Sequence, residues 1–74
     1  MDKNQNIEKR FGAKLAYLRK SKNLSQEEIA AEVGITFQYV SQIECGLANP
    51  TLEKIIKLAD VLEVEVKDLF DFSF

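Results

Sequence analysis

The stretch LSQEEIAAEVGITFQYVSQIE, residues 24–44, decides the fold. It opens with a helix start. Ser25 can accept a hydrogen bond from a free amide of the first turn, and Glu28, three residues on, can reach back to the Ser25 amide, which makes a capping box. Ile29, Ala30 and Val33 then fall at the spacing of a buried helical stripe. Gly34 ends that helix where a residue tolerant of positive φ is wanted. Thr36 offers the N-cap of a next helix of about ten residues, ending before Gly46. Only Gly34, Ile35 and the Thr36 cap separate the two helices, so the second must cross the first steeply. Such a crossing needs a small residue at the approach, which Ala30 supplies, and apolar plugs, which Ile29, Val33, Ile35, Val40 and Ile43 supply.

The same periods extend outward. Ile7, Phe11, Leu15 and Leu18 mark one face of a helix over about residues 6–22, with Gly12 inside it costing roughly 1 kcal/mol of helix propensity relative to Ala. Asn49-Pro50-Thr51 makes a fresh turn and cap, and Leu52, Ile55, Ile56, Ala59 and Leu62 give the stripe of a fourth helix. Val64 and Val66 lead into a short last element anchored by Leu69 and Phe70. The expectation is an all-α fold of five helices in one domain spanning 1–74, with residues 1–5 a disordered leader and 71–74 an apolar tail. An ordinary small helical bundle shares these periods.

Composition narrows the function. The chain has 74 residues, 46% of them hydrophobic, and a net charge of −2. That charge excludes a generally basic, histone-like binder of nucleic acid. It is unevenly spread: residues 1–22 carry net +5, residues 23–46 net −4 and residues 47–74 net −3. One cysteine and no histidine argue against a disulfide framework, a zinc site and the common catalytic pairs. No glycine-rich phosphate loop is present. An enzyme is therefore disfavoured, and no catalytic residue, cofactor, metal or small-molecule ligand is expected. Cys45, with Glu44 beside it, reads as an inert small residue. The start, MDKNQNIEKR, lacks a signal peptide's apolar stretch, and no run is long enough to span a membrane. A soluble cytoplasmic protein is expected.

At Leu24-Ser25-Gln26-Glu27-Glu28-Ile29-Ala30, Gly34-Ile35-Thr36, Val40-Ser41-Gln42-Ile43-Glu44, Gly46 and Asn49-Pro50-Thr51-Leu52 the chain resembles the lambda-repressor-like (Cro or Xre-type) helix-turn-helix domains. The resemblance runs from about Phe11 to Phe70 and places the helix-turn-helix at about residues 26–45. It implies a five-helix domain that binds a double-stranded DNA operator, usually as a dimer. It also points to single-domain regulators such as small phage-type repressors and restriction–modification controller proteins.

The third helix has a face suited to reading DNA. With Val40 and Ile43 inward, Gln38 falls near ~160° and Gln42 near ~200° from Val40, so both point outward. A glutamine carboxamide can accept from adenine N6 and donate to adenine N7, which suits A·T-containing steps in the major groove. Phe37 can touch a thymine methyl and Ser41 a base or phosphate; these four are the candidate base readers. Phosphate anchoring is expected at the start of the second helix, where free amides favour anions. Gln26 contacts the backbone by resemblance, helped by Lys20, Lys22, Asn23, Ser25, Tyr39 and Asn49. The resemblance also pairs Arg19, late in the first helix, with Glu44, tying the reading helix down and leaving Arg19 near phosphate. Relatives often carry Lys or Arg where this chain has Cys45, Leu47 and Ala48. Their absence predicts few phosphate contacts, a shallow salt dependence and reliance on a dimer.

Val66, Leu69, Phe72 and Phe74 are more apolar surface than so small a core can hide, which suggests an isologous homodimer interface at about residues 61–74. Two functions remain open: a sequence-specific DNA-binding regulator, and a protein-interaction or antitoxin-like module that uses the uncharged surface.

Overall fold

The computed structural model describes residues 6–73. Its order is α1 (Ile7–Ser21), α2 (Gln26–Val33), α3 (Phe37–Glu44), α4 (Leu52–Leu62) and a terminal 3-10 helix (Val66–Phe70). No strand occurs among the described residues. No described helix is long and apolar enough to cross a membrane. The all-α expectation holds, but the fifth element is a 3-10 helix rather than an α-helix. Five residues are too few to repay the cost of an α-helical nucleus, and short 3-10 pieces are the usual alternative.

The helix starts follow local chemistry. The Ser25 hydroxyl accepts from the Glu28 amide at 2.9 Å while the Ser25 amide donates to Glu28 Oε1 at 2.8 Å. Thr36 Oγ1 accepts from the Tyr39 amide and Thr51 Oγ1 from the Lys54 amide. At the corner, Gly34 stands at φ 85°. The amides of Gly34 and Ile35 both donate to the Ala30 carbonyl, at 2.9 and 3.0 Å, which closes the connection within two residues.

The core takes its fully buried side chains from every element: Leu15, Ile29, Val40, Ile43, Leu58, Leu62 and Leu69. Gly12 has a packing role that helix propensity does not reveal. A Cβ there would collide with the Ile43 carbonyl oxygen and stand 2.7 Å from the Glu44 carbonyl oxygen. The bare backbone at Gly12 lets α1 lie directly against the end of α3.

Two expectations need correction. The buried face of α4 is Leu58, Ala59 and Leu62, with Ile55 half-buried, whereas Leu52 and Ile56 are 67% and 44% exposed. The five residues share one helical face, but the rest of the fold covers only the side of it toward Leu58 and Leu62, so Leu52 and Ile56 lie on its open flank. The second correction concerns the expected interface. Leu69 is fully buried, because the terminal 3-10 helix turns it into the monomer's own core. It therefore offers no surface to a partner. Val66 is half-buried and packs on that core. Phe72 is also half-buried, edge-on to Phe70 at 6.4 Å and beneath the Arg10 guanidinium at 5.1 Å. Phe74 and the leader 1–5 lie outside the described residues.

Candidate nucleic-acid interface

The corner between α2 and α3 leaves one side of α3 bare. Val40 and Ile43 are fully buried. Phe37, Gln38 and Gln42 are exposed, and Ser41 and Tyr39 are half-buried at the margins. Gln38 and Gln42 stand one turn apart on the open side, so the structure brings the candidate base readers onto one convex ridge.

Behind that ridge α3 is held by a polar clamp. Arg19 Nε donates to Glu44 Oε2 at 2.7 Å, and a terminal guanidinium nitrogen donates to Oε1 at 3.1 Å. The other terminal nitrogen donates to the Leu24 carbonyl at 2.7 Å. The Gln26 carboxamide donates to Glu44 Oε1 at 2.9 Å. The side chains of Arg19 and Glu44 are only 10% and 8% exposed. The hydrogen bond to Glu44 holds the Arg19 guanidinium protonated above its ordinary range, against the opposing cost of burial. One carboxylate thus ties together the end of α1, the start of α2 and the end of α3. Arg19 sits inside this clamp as a strut, with its charge matched at short range. Gln26 shares it through one hydrogen of its side-chain NH2.

The other candidate anchors surround the start of α2. Lys20 and Asn23 are exposed, and Asn23 makes the turn into α2 at φ 60°. Lys22 is exposed and lies 3.7 Å from Glu63, a surface pair of small worth. The Ser25 hydroxyl serves as the helix cap. The Gln26 and Glu27 amides have no partner within the helix. They form an anion-seeking end, tempered by the Glu27 and Glu28 carboxylates in the same turn. Asn49 is exposed in the loop after α3.

The sequence reading missed one surface. Leu47, Leu52 and Ile56 are 79%, 67% and 44% exposed, around the start of α4 and the loop before it. Leu47 alone carries a local signal, since it follows Gly46 outside any helical period; Leu52 and Ile56 continue the period of α4 and carry none. Among the described residues no cluster of side chains fits a metal ion.

Known proteins share the fold. The control protein C.BamHI of Bacillus amyloliquefaciens is 44% identical over 69 residues, covering 92% of this chain and 85% of the relative. The restriction-modification controller protein C.AhdI from Aeromonas hydrophila has a crystal structure that matches with a TM-score of 0.84 at 41% identity, over 86% of this chain and 97% of that one. SinR, a master regulator for biofilm formation solved in complex with DNA, matches with a TM-score of 0.77 at 35% identity, over 82% of this chain and 98% of that one. Residues 15–69 match the helix-turn-helix family as a whole, and the chain belongs to it.

Proposed function

We propose that this chain is a sequence-specific DNA-binding transcription regulator that acts as a homodimer in the cytoplasm, with α3 in the major groove. The observation that carries this reading is the ridge of α3, with Gln38 and Gln42 exposed one turn apart and Glu44 clamped from behind. A reading helix must be rigid if two carboxamides are to find base edges, and the clamp provides that rigidity. Phe37 and Ser41 extend the reading surface along the same helix. Lys20, Lys22, Asn49 and the free amides opening α2 meet phosphates, while Arg19 serves through the clamp. The relatives named as controllers and regulators support the same reading.

The dimer surface in this reading is Leu47, Leu52 and Ile56. Leu47 and Leu52 are the most exposed of the large apolar side chains, Ile56 stands one turn beyond Leu52 on the same helix, and apolar groups so exposed favour an isologous contact. Such a dimer presents two copies of α3 about 34 Å apart on one side of the duplex.

Selection of bound duplexes from a random pool tests the proposal. The expected result is a two-fold-related motif with half-sites about one helical turn apart. A pool that stays unenriched after several rounds defeats it. A second reading, a protein-binding module on the same fold, is favoured by the uncharged run Cys45 to Ala48 after α3. Binding to random duplex separates the two, since a regulator shows weak affinity that falls with salt.

A further inference from the structure

The loop after α3 holds no cation from Cys45 to Pro50. The fold brings one to it from elsewhere. Gly46 follows the Cys45 cap at φ 78°, and the Leu47 amide closes the helix end on the Gln42 carbonyl at 2.8 Å. Pressed against this glycine is Lys9 of α1. A Cβ at position 46 would stand 3.0 Å from Lys9 Cα and 2.6 Å from Lys9 Cγ. The aliphatic stem of Lys9 therefore lies along Gly46, while the residue as a whole is exposed. Among the described residues Lys9 is in no ion pair. The nearest acid along the chain, Glu8, lines a hollow with Phe11, Asn49 and Pro50. Glu44 is already matched by Arg19. A lysine in no ion pair among the described residues is thus seated with its stem against the C-terminal end of the reading helix, one turn beyond Gln42.

We propose that Lys9 is the phosphate anchor of the reading helix's far end, supplied by α1 in place of a cation in the loop. This rests on α3 entering the major groove. A helix lying in that groove has a strand's phosphates beyond its end, and a lysine on a flexible stem meets such a charge without fixed geometry. Gly46 then has two roles: it allows the positive φ, and it leaves room for the lysine stem. Lys9 anchors; it reads no base.

The salt dependence of binding by the full chain decides the matter, measured on a random-sequence duplex and on a duplex recovered by selection. Each phosphate contact contributes about 0.9 to the slope of log affinity against log salt, so K9Q should lower the slope of a dimer by about 1.8. Between 50 and 200 mM salt the wild-type affinity then falls about 12-fold further than that of the variant. K9R should keep the wild-type slope, and K9Q/C45K should regain it by restoring a cation within the loop. The base preference of the selected site should stay the same in all three. A K9Q slope equal to wild type overturns the proposal, and so does a lowered melting temperature with an unchanged slope, which marks Lys9 as a packing residue only. Wild-type protein that binds neither duplex in a salt-dependent way overturns the DNA-binding reading instead.

Discussion

Glu44 shows how one side chain can hold a reading surface in place. Its two oxygens accept hydrogen bonds from Arg19 and Gln26, residues 25 and 18 positions away in the chain. Both charges are largely withdrawn from water, so removing one partner costs more than the pair is worth. Glu44→Ala should destabilise the fold by about 3–5 kcal/mol, because it strands the guanidinium. For a domain of this size each kcal/mol moves Tm by roughly 4–8 °C, so thermal unfolding reads the effect easily. An unchanged Tm would refute the clamp. Arg19 titrates above its ordinary range. Its contribution is therefore complete at any pH below that range and is lost only as pH rises through the elevated folded value, so no loss from the arginine side is expected between pH 5 and 9. Gln42 belongs to the opposite side of α3 and should behave differently. Gln42→Ala should leave Tm nearly unchanged and cost about 1–3 kcal/mol of affinity on the selected site, with relaxed preference at one base pair. Equal affinity for matched and mismatched duplexes before and after the substitution would remove Gln42 from the readers.

Two glycines show how helix-level information divides between sequence and fold. Gly34 was legible because its demand is local: a helix must end and the next must start two residues later. It stands at φ 85° with nothing within 4 Å of where a Cβ would go. Gly34→Ala should therefore cost only the left-handed conformation, about 1 kcal/mol. Gly12 looked like a defect in α1, and replacing it with alanine should gain roughly 1 kcal/mol if propensity ruled. The structure reverses the sign, because the added Cβ meets the backbone of Ile43 and Glu44, which has no rotamer to yield with. Gly12→Ala should destabilise by about 1–3 kcal/mol, as overpacking does, and urea titration of both variants should rank it below Gly34→Ala. A stabilised Gly12→Ala protein would mean that α1 and α3 do not approach this closely. Caps and corners were readable for the same reason as Gly34, since each is settled within four residues. The facing of α4 was not: Leu52 and Ile56 continue the helical period, and only the position of the other helices shows that they have nothing to pack against.

For the whole molecule the question is which apolar surface meets a second copy. The sequence pointed to the tail because its aromatics looked too many for so small a core. Folding disposes of much of that surface: Leu69 is buried and Phe72 is half-covered by Phe70 and Arg10. Phe70 stays 42% exposed, but the most exposed large apolar side chains are Leu47 and Leu52, with Ile56 one turn beyond Leu52, and no periodicity marks these three as a set. A chain whose net charge is −2, with its cations concentrated toward α1, should gain little DNA affinity from each subunit, so the proposed dimer should matter more to it than to a strongly basic protein of the same fold. Leu52→Glu tests this with little ambiguity. Leu52 is 67% exposed, so the substitution should change monomer stability by no more than about 0.5 kcal/mol. In an isologous interface the same substitution occurs on both sides and buries a carboxylate in each half of the contact, which apolar surroundings cannot solvate. Sedimentation velocity should show the wild type as a dimer and Leu52→Glu as a monomer of the same fold. Its binding to a two-half-site duplex should drop to that of a single half-site, while Phe72→Ser remains dimeric. A dimeric Leu52→Glu beside a monomeric Phe72→Ser would return the interface to the tail.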